Sequence, residues 1–153
     1  MADYIRKLRT KVGHECVILN FSGGCVFNEA GEVLLQKRGD NGGWGFPGGA
    51  MEIGESAEET AIREIREETG YMVQVDEFIG VYTKYFHTYP NGDQVQTIGL
   101  FFKCSIIGGS KKIDGEETLD LQFFPLDQMP VLFNEQHKDC LQDILKGKTA
   151  VYR

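Results

Sequence analysis

Glu64, Glu67 and Glu68 fall within five positions of one another, with Arg63 directly before them. Counted at about 100° per residue on a helix, the three carboxylates share an arc of roughly 100°. That arc borders an apolar stripe of Ala61, Ile62 and Ile65, so the carboxylates point along the rim of a buried face, where a groove can form. The arrangement is poor for stability. Glu64 and Glu68 are like charges one turn apart, which costs a few tenths of a kcal/mol. Glu67 and Glu68 lie in the last turn, where the helix dipole disfavours anions. Arg63, four residues before Glu67, relieves part of this. Crowded carboxylates also raise one another's pKa. A divalent cation resolves these conflicts together, and Mg²⁺ takes carboxylate oxygens, waters and substrate phosphates as ligands. For any one glutamate alone, a solvated helix face is the better reading.

The elements that must position these groups are legible. Ser56 followed by Glu59 is a capping box, and Gly70 suits the left-handed position past the end, so a helix is expected over 56–69. Residues 39–49 hold six glycines with Trp44, Phe46 and Pro47, an aromatic loop leading into it. Cys16–Phe21, Gly24–Phe27 and Glu32–Arg38 read as strands, the last two a hairpin through the turn Asn28–Gly31. Val73–Tyr89 and Gln94–Ile107 read as partners across Pro90-Asn91-Gly92-Asp93, since Asn-Gly between β-rich runs marks a turn. Leu119–Phe124 is a short strand. Asn134–Lys146 carries an amphipathic helix, and Tyr4, Ile5, Leu8 and Val12 suggest another after Asp3, a candidate N-cap. The expected class is α+β, a mixed β-sheet packed between helices as an α/β/α sandwich, in one domain over 1–153.

The run from Gly49 to Glu55, seven further residues, then Arg63-Glu64-Ile65-Arg66-Glu67-Glu68-Thr69-Gly70-Tyr71 resembles the Nudix box. Every fixed position is met; Tyr71 stands where an aliphatic residue is usual, and still suits an apolar strand start. Leu34–Arg38, Trp44–Gly49 and Gly115–Leu126 look like the same family. The resemblance implies hydrolysis of a diphosphate linkage in a nucleoside diphosphate derivative or a nucleoside triphosphate. It implies Mg²⁺, with Mn²⁺ an alternative that oxygen ligands do not distinguish. By motif position, Glu64, Glu67, Glu68 and the Gly49 carbonyl would hold metal. Arg63 would orient a metal-binding glutamate, and Glu55 would support the loop–helix geometry. The general base would be Glu64 or a distal-loop glutamate, Glu116 or Glu117. A tyrosine downstream of the box is associated in this family with dinucleoside polyphosphates, and Tyr89 lies at such a distance.

Further substrate candidates are Arg38, Trp44, Phe46, Tyr85 and Tyr89. Lys37 and Arg38 could reach phosphates, though a solvated strand end is the plainer reading. Trp44 and Phe46 could stack on a base or close the core beneath the loop. On the long strand Tyr82 and Phe86 share one face and Tyr85 and Tyr89 the other, one pair core and one bordering substrate. His14, His87 and His137 share no metal-ligand spacing, and His87 is at best a substrate contact.

Composition narrows the partners. A net charge of −7 argues against duplex nucleic acid, which is met by Lys and Arg. The four cysteines form no C-x-x-C pair, so neither zinc nor a disulfide framework is expected. Met1–Lys11 is charged, without the apolar core of a signal peptide, and no long apolar run exists. A cytoplasmic protein with a small-molecule nucleotide substrate is expected, with a homodimer common in this family. The alternatives are a non-catalytic nucleotide sensor on the same scaffold, which would be expected to lose box glutamates, and an RNA 5′-end pyrophosphohydrolase. An isomerase of prenyl diphosphates would need a site cysteine and histidines not seen here.

Overall fold

Five consecutive residues of one strand, Ser22 to Val26, are buried, the mark of a strand covered on both faces. The computed structural model, which describes residues 3–153, shows how; Met1 and Ala2 of the charged start lie outside that range. The order is α1 (Asp3–Val12), β1 (Val17–Phe27), β2 (Val33–Arg38), β3 (Trp44–Gly45), β4 (Gly48–Ala50), α2 (Ala57–Thr69), β5 (Tyr71–Thr88), β6 (Gln94–Gly109), β7 (Thr118–Phe124), a 3₁₀ turn at Leu126–Gln128, α3 (Glu135–Leu145) and β8 (Val151–Tyr152). The strands form one sheet, ordered β3-β2-β1-β6-β5-β8, with β4 on β1 and β7 on β2. β1 runs parallel to β6 from Val17↔Val95 to Phe27↔Ser105, and the rest pair antiparallel except β8, which joins β5 in parallel.

Alternation along the strands divides the core in two. Cys25, Leu35, Phe101 and Tyr82 face one side and pack with Cys140 and Leu141 of α3. Val26, Leu34, Val73 and Cys104 face the other and pack with Ile65 of α2. A mixed sheet between helices is the expected class.

Several local readings change. The two apolar runs before Asn28 are one strand, and its contact with β2 is a single pair, Phe27↔Val33. Their hairpin is therefore minimal, because β1 pairs instead with distant β6 and β2 with β7. The glycine loop hides two short strands, and Asp3 lies in the first turn of its helix rather than before it. Cys16, read as part of an apolar run, is exposed; all four cysteines are free. No helix among the described residues is long and apolar enough to cross a membrane.

One irregularity bears on the site. Between Tyr82↔Gly99 and Tyr85↔Thr97, β5 carries one residue more than β6. Such a bulge reverses the in–out alternation beyond it. Tyr82 and Phe86 therefore do not share a face: Tyr82 is fully buried, while Phe86 is 66% exposed.

Candidate active site

Helix α2 is built as its sequence directs. Ser56 accepts a hydrogen bond from Glu59 N–H at 3.1 Å, and Gly70 ends the helix at φ 81°. The direction midway between fully buried Ala61 and Ile65 lies about 40° from Glu68, 80° from Glu64 and 140° from Glu67 on an ideal helix. Burial follows that order. Glu68 is half-buried along its length with its carboxyl deep in protein, the Glu64 side chain is 15% exposed, and that of Glu67 is 60% exposed.

Arg63 is the hub of the outer part. Its guanidinium donates to Glu55 through Nε at 2.6 Å and Nη2 at 2.8 Å, to Glu64 at 2.8 Å, to Glu67 at 3.3 Å and to the Ala50 carbonyl at 3.2 Å. Glu55 also accepts from Glu52 N–H and from the Thr60 hydroxyl. The Arg63 hydrogen bond is the main reason its pKa falls to about 2. Glu55 thus braces the strand β4–helix α2 corner as a permanent anion.

The inner part is less settled. Burial, then the charge of Glu64, pushes the Glu68 carboxyl up to about 8, against hydrogen bonds from Gln36 and from Gly48 N–H, the latter at 3.0 Å. Burial also raises Glu64; Arg63 opposes this, while Glu67 and Glu117 add to it. The structure therefore brings Glu117 within electrostatic reach of Glu64, although its loop is exposed. Gly49 fits against Glu64 so closely that a Cβ there would lie 2.3 Å from the carboxyl carbon. Among the described residues, no three His, Cys, Asp or Glu side chains are gathered as an ion would gather them. Yet the donor set fits a hard divalent cation: burial raises both neighbouring carboxyls, Glu64 and Glu68, despite Arg63 and Arg38, and the donors are oxygens only.

Gln36, which sequence reading passed over, lies beneath this end. It is 1% exposed. Its amide donates to the Thr118 hydroxyl at 2.8 Å and approaches the Glu117 carbonyl at 3.4 Å, while Thr118 donates to the Glu68 carbonyl at 2.9 Å. Thr118 has one hydroxyl hydrogen, so Gln36 must present its NH₂ there. Its Oε1 is then a buried acceptor with no donor. Gln36 so links Glu68 to the segment bearing Glu117.

Gly48 and Gly49 connect the carboxylates to a cavity of about 620 Å³. Arg38, Phe46, Tyr85 and Tyr89 line it; Trp44 does not. Trp44 instead packs edge-on against Phe124 at 5.2 Å, the core-side one of the two placements its sequence left open. Phe46 is only 1% exposed, so it forms floor rather than a free stacking face. Arg38 is held by Asp40 at 3.0 and 3.1 Å and lies over the Phe133 ring at 4.5 Å. Tyr85 donates to Asp139, and burial raises the Tyr89 hydroxyl pKa. Phe86, His87 and His137 also line the cavity. His137 is buried; its place in the apolar series with Cys140, Leu141 and Ile144 was the signal that it faces inward.

A family model described as the NUDIX domain matches residues 22–144. The chain is 40% identical over 126 residues to a putative 8-oxo-dGTP diphosphatase of Bacillus subtilis, covering 82% of this chain and 79% of that one. It is 33% identical over 129 residues to an ADP-ribose pyrophosphatase of Methanocaldococcus jannaschii, covering 82% and 72%. A MutT protein from Methanosarcina mazei shares the fold at a TM-score of 0.72 and 23% identity, covering 88% of this chain and 99% of that one. A family match over most of the length, carried by relatives at this level of identity, places the chain among the Nudix hydrolases.

Proposed function

We propose that this hydrolase cleaves the diphosphate linkage of a nucleotide held in the cavity, with Glu64, Glu67, Glu68 and the Gly49 carbonyl holding Mg²⁺. The observation that carries the reading is the pair of carboxylates Glu64 and Glu68, both raised chiefly by burial and the second also by the charge of the first, set against the glycines at the cavity edge. When bound, the cation neutralises diphosphate oxygens and acidifies a water. Mn²⁺ would serve the same donors.

The chain's own groups supply the rest. Glu68 is oriented by Gly48 N–H and Gln36, and Glu64 by Arg63. The water's oxygen bonds to one phosphorus in line, the bond from phosphorus to the bridging oxygen breaks, and its electron pair leaves on that oxygen. A carboxylate accepts the water's proton. We assign this to Glu117, because Glu64 is engaged by Arg63 whereas Glu117 is exposed beside it. Arg38, at the cavity wall, exchanges Asp40 for a phosphate oxygen.

Sugar- or base-linked diphosphates and triphosphates, including 8-oxo-dGTP and ADP-ribose, form the test panel with Mg²⁺. Release of a nucleoside monophosphate from at least one is expected. Tight nucleotide binding without any turnover would favour the sensor instead.

A further inference from the structure

His137 is a titratable group in the cavity that the reaction above does not use. It is 8% exposed, on α3. Phe46 N–H donates to its Nδ1 at 3.1 Å. A nitrogen that accepts cannot carry the ring's proton, so in the neutral imidazole the hydrogen sits on Nε2. Burial, helped by the Arg38 charge, pushes the pKa down to about 3, so the ring stays neutral at physiological pH. Three aromatic rings hold it in place: Phe46 stacked at 5.6 Å, Phe101 and Phe133 edge-on at 5.1 and 4.7 Å.

Nε2–H has no acceptor among the described residues, whose hydrogen bonds engage this ring through Nδ1 alone. Nor is it sealed in protein, since the one enclosed side-chain polar atom without a partner is Gln36 Oε1. The open space that His137 lines is the cavity. The wall here is apolar, with half-buried Phe133 beside the buried floor of Phe46 and Phe101, and a neutral donor set in it cannot balance phosphate charge.

We propose that His137 Nε2–H is a fixed hydrogen-bond donor for an acceptor atom of the substrate's nucleobase, a ring nitrogen or a carbonyl oxygen. Bases with an acceptor at that point satisfy the N–H, and bases without one leave it unpaired, so the residue selects among nucleotides. The proposal rests on the nucleotide reading above, but hydrolysis tests that reading and the signals of one imidazole test this one.

The experiment is ¹H–¹⁵N NMR of the imidazoles of the full chain, with His137 assigned from His137→Gln. The expected spectrum shows the Nε2–H form without titration between about pH 5 and 8. In Mg²⁺, at least one of AMP, GMP, CMP and UMP shifts the Nε2 resonance, and inorganic pyrophosphate does not. His137→Phe raises KM for that nucleotide's diphosphate derivative about tenfold with kcat little changed. His137→Gln, whose amide can accept from Phe46 and donate into the cavity, recovers most of the loss. An Nε2 signal unmoved by all four nucleotides, or moved equally by pyrophosphate, overturns the proposal whether or not His137→Phe folds.

Discussion

Two carboxylates enclosed at opposite faces of the sheet have opposite fates. Asp143, on α3, receives the Arg153 guanidinium at 2.7 and 3.0 Å and the Tyr82 hydroxyl at 2.7 Å. The Arg153 hydrogen bond is the main reason its pKa lies below the ordinary value, overcoming burial. Glu68, on α2, has a backbone N–H, the Gln36 amide and the charge of Arg38, with no cation bonded to it, against burial and the negative charge of Glu64, and its pKa rises to about 8. The fold can compensate a buried carboxylate, and at Asp143 it does so with its own residues. At Glu68 the compensation is incomplete, and on the function proposed above a cation from outside completes it, which is how a site differs from a brace.

Exchanging the two residues' chemistry should break the comparison most sharply. Glu68→Gln is expected to lower kcat by 10² or more, roughly what loss of a metal-bearing carboxylate removes, while the protein remains folded by circular dichroism. Turnover within a few-fold of wild type would remove Glu68 from the site. Asp143→Ala should do the reverse. It strands the Tyr82 hydroxyl and the Arg153 partner, so urea unfolding should show a loss of about 2 kcal/mol, with turnover per folded molecule retained.

A smaller effect is expected at Gln36. Gln36→Met keeps the volume and removes both the donor to Thr118 and an acceptor that lacks a donor, effects of opposite sign, so stability should change by about 1 kcal/mol or less. Mn²⁺ affinity by titration calorimetry should weaken about tenfold, as for other groups that orient metal ligands. Unchanged affinity would make Gln36 packing alone.

How far the sequence carries differs between these regions for a physical reason. Helix α2 is local: Ser56, Gly70 and the spacing of Ala61, Ile65, Glu64, Glu67 and Glu68 define its ends and the burial order of its carboxylates. The turn at Pro90–Asp93 is likewise local, closed by Tyr89 N–H to the Asp93 carbonyl. What escaped depends on distant partners. The parallel pairing of β1 with β6, the short strands around Phe46, and β8 all need a neighbour to exist. The extra residue between Tyr82 and Tyr85 turned Phe86 outward, which no alternation rule foresees. Gln36 sits in a strand that reads as apolar, and only the approach of Thr118 and Glu68 gives its amide a purpose. Trp44 was undecided between base and core, and its ring contact with Phe124 depends on a strand 80 residues away.

The most direct test is the pH dependence of the melting temperature in EDTA and in Mg²⁺. A carboxyl whose pKa is raised on folding, here from 4.5 to about 8, holds a proton that the unfolded chain releases. Its contribution is complete below the unfolded value and is lost as pH rises through about 8. In EDTA the wild type should therefore lose stability between about pH 5 and 9 relative to Glu68→Gln. Mg²⁺ should restore it increasingly toward high pH in the wild type, and hardly at all in the variant. Parallel curves for the two proteins, or an equal Mg²⁺ response from both, would contradict the claim that Glu68 awaits a cation.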